Sequence, residues 1–272
     1  MPSTKDLIKA DQGVFCLGKG DSGSGKTVGF LSWPNAYVFD FDKKMPNICL
    51  KHFPEKEVHW DTFESIFDVQ TKMEEFWNHC PYETLIFDSL TALVVMTLNS
   101  ISKIKGDQIM EQLKRFQLTS GGGKQIELMG YDYYNGETRF IEQYWLEMCK
   151  NLYSRQSNPK NVFIVAHVMT AESAPDIKTK IVTVTRRIVT AGRNVAAYIP
   201  TVFDDVWHFA HQIDMNGQLR RKVLMQNTGT DFAKTSFMIP GNEIDFTGEP
   251  PDFRGGNLYE KFIKKINGDI SL

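Results

Sequence analysis

Four short apolar runs punctuate the chain: Gly13-Val-Phe-Cys-Leu17, Ala36-Tyr-Val-Phe39, Thr84-Leu-Ile-Phe87 and Asn161-Val-Phe-Ile-Val-Ala166. Each is bounded by Gly or polar residues and lacks the polar alternation of a half-exposed strand, so each predicts a strand buried on both faces. Between them the pattern changes period. Phe63, Ile66, Phe67, Val69, Met73 and Phe76 fall at amphipathic spacing and predict a helix from about Thr62 to Cys80. Phe140 to Tyr153 predicts another, and the residues after Gly25 predict a helix that stops before Pro34. Strands alternating with helices predict an α/β chain with a mostly parallel central sheet flanked by helices. Ligands of such sheets sit beyond the carboxyl ends of the strands, where Asp42, Asp88 and His167 fall.

Two segments break the pattern. Residues 103–135 contain Gly121-Gly-Gly123 and mixed charge without firm periodicity. Residues 170–201 are rich in Thr, Lys and Arg, with the partial alternation of a hairpin. Long connections of this kind are functional loops or solvated, charge-mixed segments. Further on, residues 205–214 and 218–226 flank Asn216-Gly217, which predicts a C-terminal antiparallel hairpin. With no internal repeat and no interdomain linker in view, the expectation is one domain over residues 1–272, its core at about 12–245 between short extensions.

Composition narrows the function classes only a little. Hydrophobic residues make up 42% and charged residues 24% of the 272, which suffices for a packed core. A formal net charge of −2 means that any nucleic-acid contact must come from a local basic patch. Cys16, Cys49, Cys80 and Cys149 form no CxxC pair and no metal-type spacing, so they read as reduced, mostly buried thiols. The opening MPSTKDLIKADQG is polar and lacks the apolar core of a signal peptide. The apolar stretch from Leu90 to Leu98 is broken by threonines and too short to span a bilayer. A cytoplasmic protein without membrane contact is expected.

The sharpest local signal is Gly20-Asp21-Ser22-Gly23-Ser24-Gly25-Lys26-Thr27, which fits G-x-x-x-x-G-K-[ST] at every fixed position. Its glycines let backbone N–H groups turn inward around phosphate oxygens. Lys26 places a charge near the β- and γ-phosphates, Thr27 offers a hydroxyl to Mg²⁺, and the following helix adds its N-terminal dipole. A Gly/Ser turn matching by chance would lack the apolar strand before it and the helix after it. GDSGSG also resembles a serine-protease nucleophile loop, but no matching His and Asp arrangement is evident and Lys-Thr follows directly.

Asp88, ending an apolar strand, can hold Mg²⁺ as P-loop NTPases do; alone, it could equally cap the next turn. Asp42, and with it Asp40, ends the second strand, where a carboxylate can orient or deprotonate an attacking water. Lys43 and Lys44 follow, so a solvated turn is the competing reading. His167 can reach a γ-phosphate or a water, or it can be a satisfied core histidine. His208 and His211 would lie on opposite faces of a strand and make no metal site.

These residues carry a resemblance. Gly20 to Thr27, the strand ending Phe-Asp-Phe-Asp42, Phe87-Asp88-Ser89-Leu90-Thr91-Ala92-Leu93 and Val162-Phe-Ile-Val-Ala-His167 stand in the order of a RecA-type ATPase core. With Phe203-Asp-Asp-Val206 and Ala233-Lys234-Thr-Ser236, the chain resembles the short RecA-like ATPases of bacteriophages, a group that includes single-strand annealing and recombination proteins. The resemblance spans about residues 12–245; the P-loop and the Asp88 strand are its specific motifs, and the rest is order. It implies a RecA-like P-loop NTPase core, ATP with Mg²⁺, assembly into rings or filaments, and binding of single-stranded DNA, with a single-strand-binding protein as a candidate helper. Location in a bacterial host's cytoplasm would follow from phage origin.

Where the resembled family usually has a catalytic Glu, this chain has Asp42, whose shorter side chain implies slow hydrolysis or another base. Lys234 would correspond to the lysine that reaches a neighbouring subunit's nucleotide, while Ser236 stands where a second basic residue is often found. The chain shows no counterpart of the large flanking domains of RecA recombinases. The second irregular segment would face the DNA path, with Lys178, Lys180, Arg186, Arg187 and Arg193 neutralising phosphates without reading bases. Lys103, Lys105, Lys114, Arg115 and Lys124 are lesser candidates in the first segment. Tyr131, Tyr133 and Tyr134 can stack on bases or on one another. A DNA-dependent ATPase promoting annealing is the leading expectation. A P-loop kinase or packaging-type motor, and a nucleotide-driven assembly switch with little catalysis, are the alternatives.

Overall fold

The computed structural model describes residues 13–97, 99, 145–154, 161–172, 184–189, 193–228, 231–237, 239, 241, 243–248 and 257–267. Their strands are β1 (Val14–Gly20), β2 (Ala36–Asp40), β3 (His59–Thr62), β4 (Thr84–Asp88), β5 (Asn161–Glu172), β6 (Val184–Ile188), β7 (Asp205–Ile213), β8 (Leu219–Leu224) and β9 (Glu243–Asp245). The helices are α1 (Lys26–Phe30), α2 (Met45–His52), α3 (Ile66–Asn78), α4 (Leu146–Ser154), α5 (Arg193–Val202) and α6 (Leu258–Asn267), with a further helical stretch at 90–97.

The strands line up as β3-β2-β4-β5-β1-β7-β8-β9, and β6 pairs with the far half of β5. From β3 to β7 every pairing is parallel, while β8 and β9 add antiparallel strands at one edge. This is the RecA-like arrangement: β5 stands between the phosphate-loop strand β1 and the Asp88 strand β4. The predicted C-terminal hairpin is β7–β8, and its Gly217 takes the positive φ of 75° that the turn requires.

Continuous apolar runs become the central strands because both of their faces are covered. Every residue of β1, β2 and β4 is buried. Along β1 the side chains alternate between two cores: Phe15 and Leu17 join the α3–α4 side, Val14 and Cys16 the α1–α6 side. Stacked ring pairs tie neighbouring elements, Phe39 on Phe87 at 4.4 Å and Phe30 on Phe163 at 4.3 Å. Helix α3 buries Ile66, Val69, Met73 and Phe76, and begins at a capping box in which Ser65 and Asp68 satisfy each other's backbone N–H. Losing such a cap costs about 1 kcal/mol.

Candidate nucleotide site

The phosphate loop follows β1 directly. Gly23 and Gly25 take φ values of 79° and 90°, the left-handed conformation used by anion-binding nests of backbone N–H groups. Gly20 must be glycine for a different reason: a Cβ there would stand 2.3 Å from the carbonyl oxygen of Phe209 on β7. Helix α1 spans only five residues, so the nest of loop amides, more than a helix dipole, makes the anion site.

The Lys26 ammonium donates to the carbonyls of Gly20 and Asp21 at 2.8 and 2.7 Å, and to Ser24 Oγ at 3.4 Å. The loop thus closes on its own lysine. Burial pushes the Lys26 pKa down to about 8, against the pull of Asp88 and Asp21. Thr27 Oγ1 donates to Asp88 Oδ2 at 2.7 Å, which joins the end of β4 to the loop across the intervening β5. Burial drives Asp88 up to about 6, and the Asp42 and Asp40 carboxylates add to the rise against the Thr27 hydroxyl and Lys26.

The two strand-end aspartates of β2 part company. Asp40 is fully buried and accepts from the backbone N–H of Lys44 at 3.1 Å and Met45 at 2.9 Å, which anchors the start of α2. Asp42 turns into the cleft. Its carboxylate lies 4.0 Å from His167 Nε2, too far for a hydrogen bond, and accepts from Lys44 Nζ at 3.1 Å and Ser89 Oγ at 3.2 Å. The nearby His167 ring first, then Lys44 and Ser89, hold the Asp42 carboxyl below its usual range against the effect of burial. His167 arrives by register, since it pairs with Gly20 across β1 and β5.

A cleft of about 270 Å³ gathers the phosphate-loop residues with Asp42, Asp88 and His167. Sequence reasoning missed its other walls. Lys44, just before α2, and Ile48, Lys51 and His52 within it recur at helical spacing, a pattern that polar surroundings conceal. Arg221 enters from β8, and nothing local in the sequence points to it.

Other expected residues lie elsewhere. Lys234 bridges to Val206, near the start of β7, and shares a cavity with Gly13 and Lys150 at the opposite end of the sheet. The structure does not bring it to this chain's own loop. Neighbouring Ser236 is taken up by the buried Asp205, which accepts from its N–H at 2.8 Å and its hydroxyl at 3.0 Å. Arg186, on β6, turns its guanidinium onto His208 Nε2 at 3.3 Å and the Asp231 carboxylate at 3.4 and 3.5 Å. Its neighbour Arg187 is exposed. Arg193 opens α5. Lys178, Lys180, Lys103, Lys105, Lys114, Arg115, Lys124 and the tyrosines 131, 133 and 134 lie outside the described residues. His208 is buried and His211 exposed, on opposite faces of β7.

A β-strand, a glycine-rich loop closing on its own lysine, and a threonine hydrogen-bonded to a buried strand-end aspartate define a P-loop NTPase of RecA-like fold. Residues 14–237 match the AAA domain family AAA_24, and the chain belongs to that family. No curated protein sequence matches it. Among solved structures it is similar to the flagellar accessory protein FlaH from Methanocaldococcus jannaschii, with 12% identity, 88% of this chain and 87% of that one covered, and a TM-score of 0.37. Among the described residues no helix is long and apolar enough to cross a membrane.

Proposed function

We propose that the chain binds ATP with Mg²⁺ and hydrolyses it slowly, and that it works on single-stranded DNA in annealing or recombination. The observation that carries the catalytic part is the convergence of Lys26, Thr27, Asp88, Asp42 and His167 on one cleft. Thr27 Oγ1 and Asp88 Oδ2, 2.7 Å apart, are hard oxygen donors that fit Mg²⁺, with further positions left for phosphate oxygens and water. Bound there, the ion would neutralise charge on the β- and γ-phosphate oxygens. Lys26 exchanges the Gly20 and Asp21 carbonyls for phosphate, and the loop amides follow the same oxygens. Asp42 and His167 stand at the γ-phosphate end to orient a water. Asp42 is a short carboxylate already engaged by Lys44 and Ser89, so orienting the water is its contribution and turnover is slow. That same observation favours a second reading, in which nucleotide binding acts mainly as an assembly switch.

The DNA part rests on Lys178, Lys180, Arg187 and Arg193, Arg186 being engaged by Asp231, and on the resemblance to phage RecA-like ATPases. β5 supports it by leading from His167 at the cleft into the pairing with β6, which carries exposed Arg187. Assembly into rings or filaments, with Lys234 offered to a neighbouring subunit, belongs to the same proposal. The test is ATP hydrolysis by wild type and Lys26→Ala, each with and without single-stranded DNA. DNA-stimulated turnover that Lys26→Ala lowers at least about 100-fold supports the proposal. Lys26-dependent turnover indifferent to DNA removes its DNA part, and phosphoryl transfer to a metabolite would establish a kinase instead.

A further inference from the structure

Arg221 is the part of the cleft that the P-loop pattern does not account for. β8 offers Arg220, Arg221 and Lys222 in succession, and pleating sends the middle one to the opposite face. Arg220 pairs with Asp214 at 3.0 Å and Lys222 with Glu243 at 2.7 Å. Arg221 lies against the phosphate loop. Its Cδ and Nε stand 2.9 and 3.3 Å from where a Cβ of Gly25 would be, so the missing side chain is what admits the arginine. The Arg221 backbone is fixed independently of the guanidinium, donating to Thr247 Oγ1 at 2.8 Å and accepting from Phe246 N–H at 3.0 Å.

The sheet order sets the side from which Arg221 approaches. α2 follows β2, on one flank of β1, and β8 lies on the other. Asp42, Lys44 and His167 therefore occupy one end of the cleft, and Arg221 closes it from the other. A guanidinium remains charged even where burial lowers its pKa, as it does here, and it suits the paired oxygens of a phosphate.

Resting on the nucleotide-binding reading above, we infer that Arg221 is a binding residue, supplied by the same chain, for the diphosphate part of the nucleotide rather than for its γ-phosphate. It then serves ADP and ATP alike, and acts in binding more than in the chemical step.

The experiment is calorimetric titration of ADP and of ATP, with hydrolysis kinetics, on wild type, Arg221→Lys and Arg221→Ala, with thermal melts confirming that each folds. Arg221→Ala should weaken both ADP and ATP by about 10- to 100-fold with kcat within about twofold of wild type, and Arg221→Lys should recover part of the loss. Unchanged ADP affinity overturns the inference, as does a fall confined to kcat, which would make Arg221 a γ-phosphate residue. Wild type that binds neither nucleotide overturns both this inference and the functional reading beneath it. Wild type that binds while Arg221→Ala binds equally well overturns this inference alone.

Discussion

Two clusters of charge meet the carboxyl end of β1, and they use nearly the same parts. In one, Lys26 stands near Asp88 and Asp42, with His167 alongside. In the other, Lys19 stands near Asp231 and Arg186, with His208 opposite it in register on β7. The first opens on a cleft, and its lysine is held by carbonyls that a ligand can replace. In the second, Asp231 already receives Arg186 and faces His208 Nε2 at 3.6 Å; Lys19, Asp231 and His208 are almost wholly buried. Burial lowers the pKa of Lys19, and it lowers His208 to about 4. Charge composition does not distinguish a binding site from a structural ion cluster. Access for a competing ligand does.

The largest effect should come from breaking the closed cluster. Asp231→Ala leaves Arg186, Lys19 and His208 without their carboxylate, and should lower the unfolding free energy by about 3 kcal/mol in urea titration. Hydrolysis measured well below the melting temperature should survive. Loss of activity without loss of stability would erase the distinction between the two clusters.

Next in size is a pH effect. His208 falls from an ordinary 6.5 to about 4 on folding, so between these values the unfolded chain binds the extra proton. Stability then rises with pH across that window and drains away as acid is added, by at most about 1.4 kcal/mol per pH unit. Asp88, raised from 3.8 to about 6, works in the opposite sense, because there the folded chain holds the proton. The difference in urea midpoint between wild type and His208→Gln, followed from pH 7 down to about 4.5, isolates the histidine. The gap should favour wild type less as pH falls; a constant gap would mean that His208 is not held neutral.

The smallest effect sharpens the open cluster. Asp42→Asn should lower kcat about tenfold, equivalent to about 1.4 kcal/mol, while ATP affinity stays within about twofold. A much deeper loss would show proton transfer rather than orientation.

Much of this was legible in the sequence, for physical reasons that also mark the limits. β1, β2, β4 and β5 announce themselves because both faces are buried. β3 does not: His59-Trp-Asp-Thr62 is an edge strand with largely exposed side chains, placed by pairing with β2 rather than by its own pattern. α2 buries only Met45 and is set by Asp40 at its start. α6 carried a readable signal, since Leu258, Tyr259, Phe262, Ile263 and Ile266 recur at helical spacing, and it packs into the α1 side of the core. At the site, Gly20 to Thr27 and Asp88 were legible as motif and strand end. Asp42 over Asp40 required three dimensions. Arg221 depended on the register of an antiparallel strand two places from β1, and no local pattern encodes that.

The hold of the loop on its own lysine has a consequence for how a ligand arrives. The Lys26 ammonium keeps the surrounding carbonyls satisfied and the loop in shape. A phosphate entering such a site swaps one set of hydrogen bonds for another, and the entropy of ordering the loop has already been lost during folding. Little apolar surface need be covered in that exchange, so the heat-capacity change of association at the loop itself should be small.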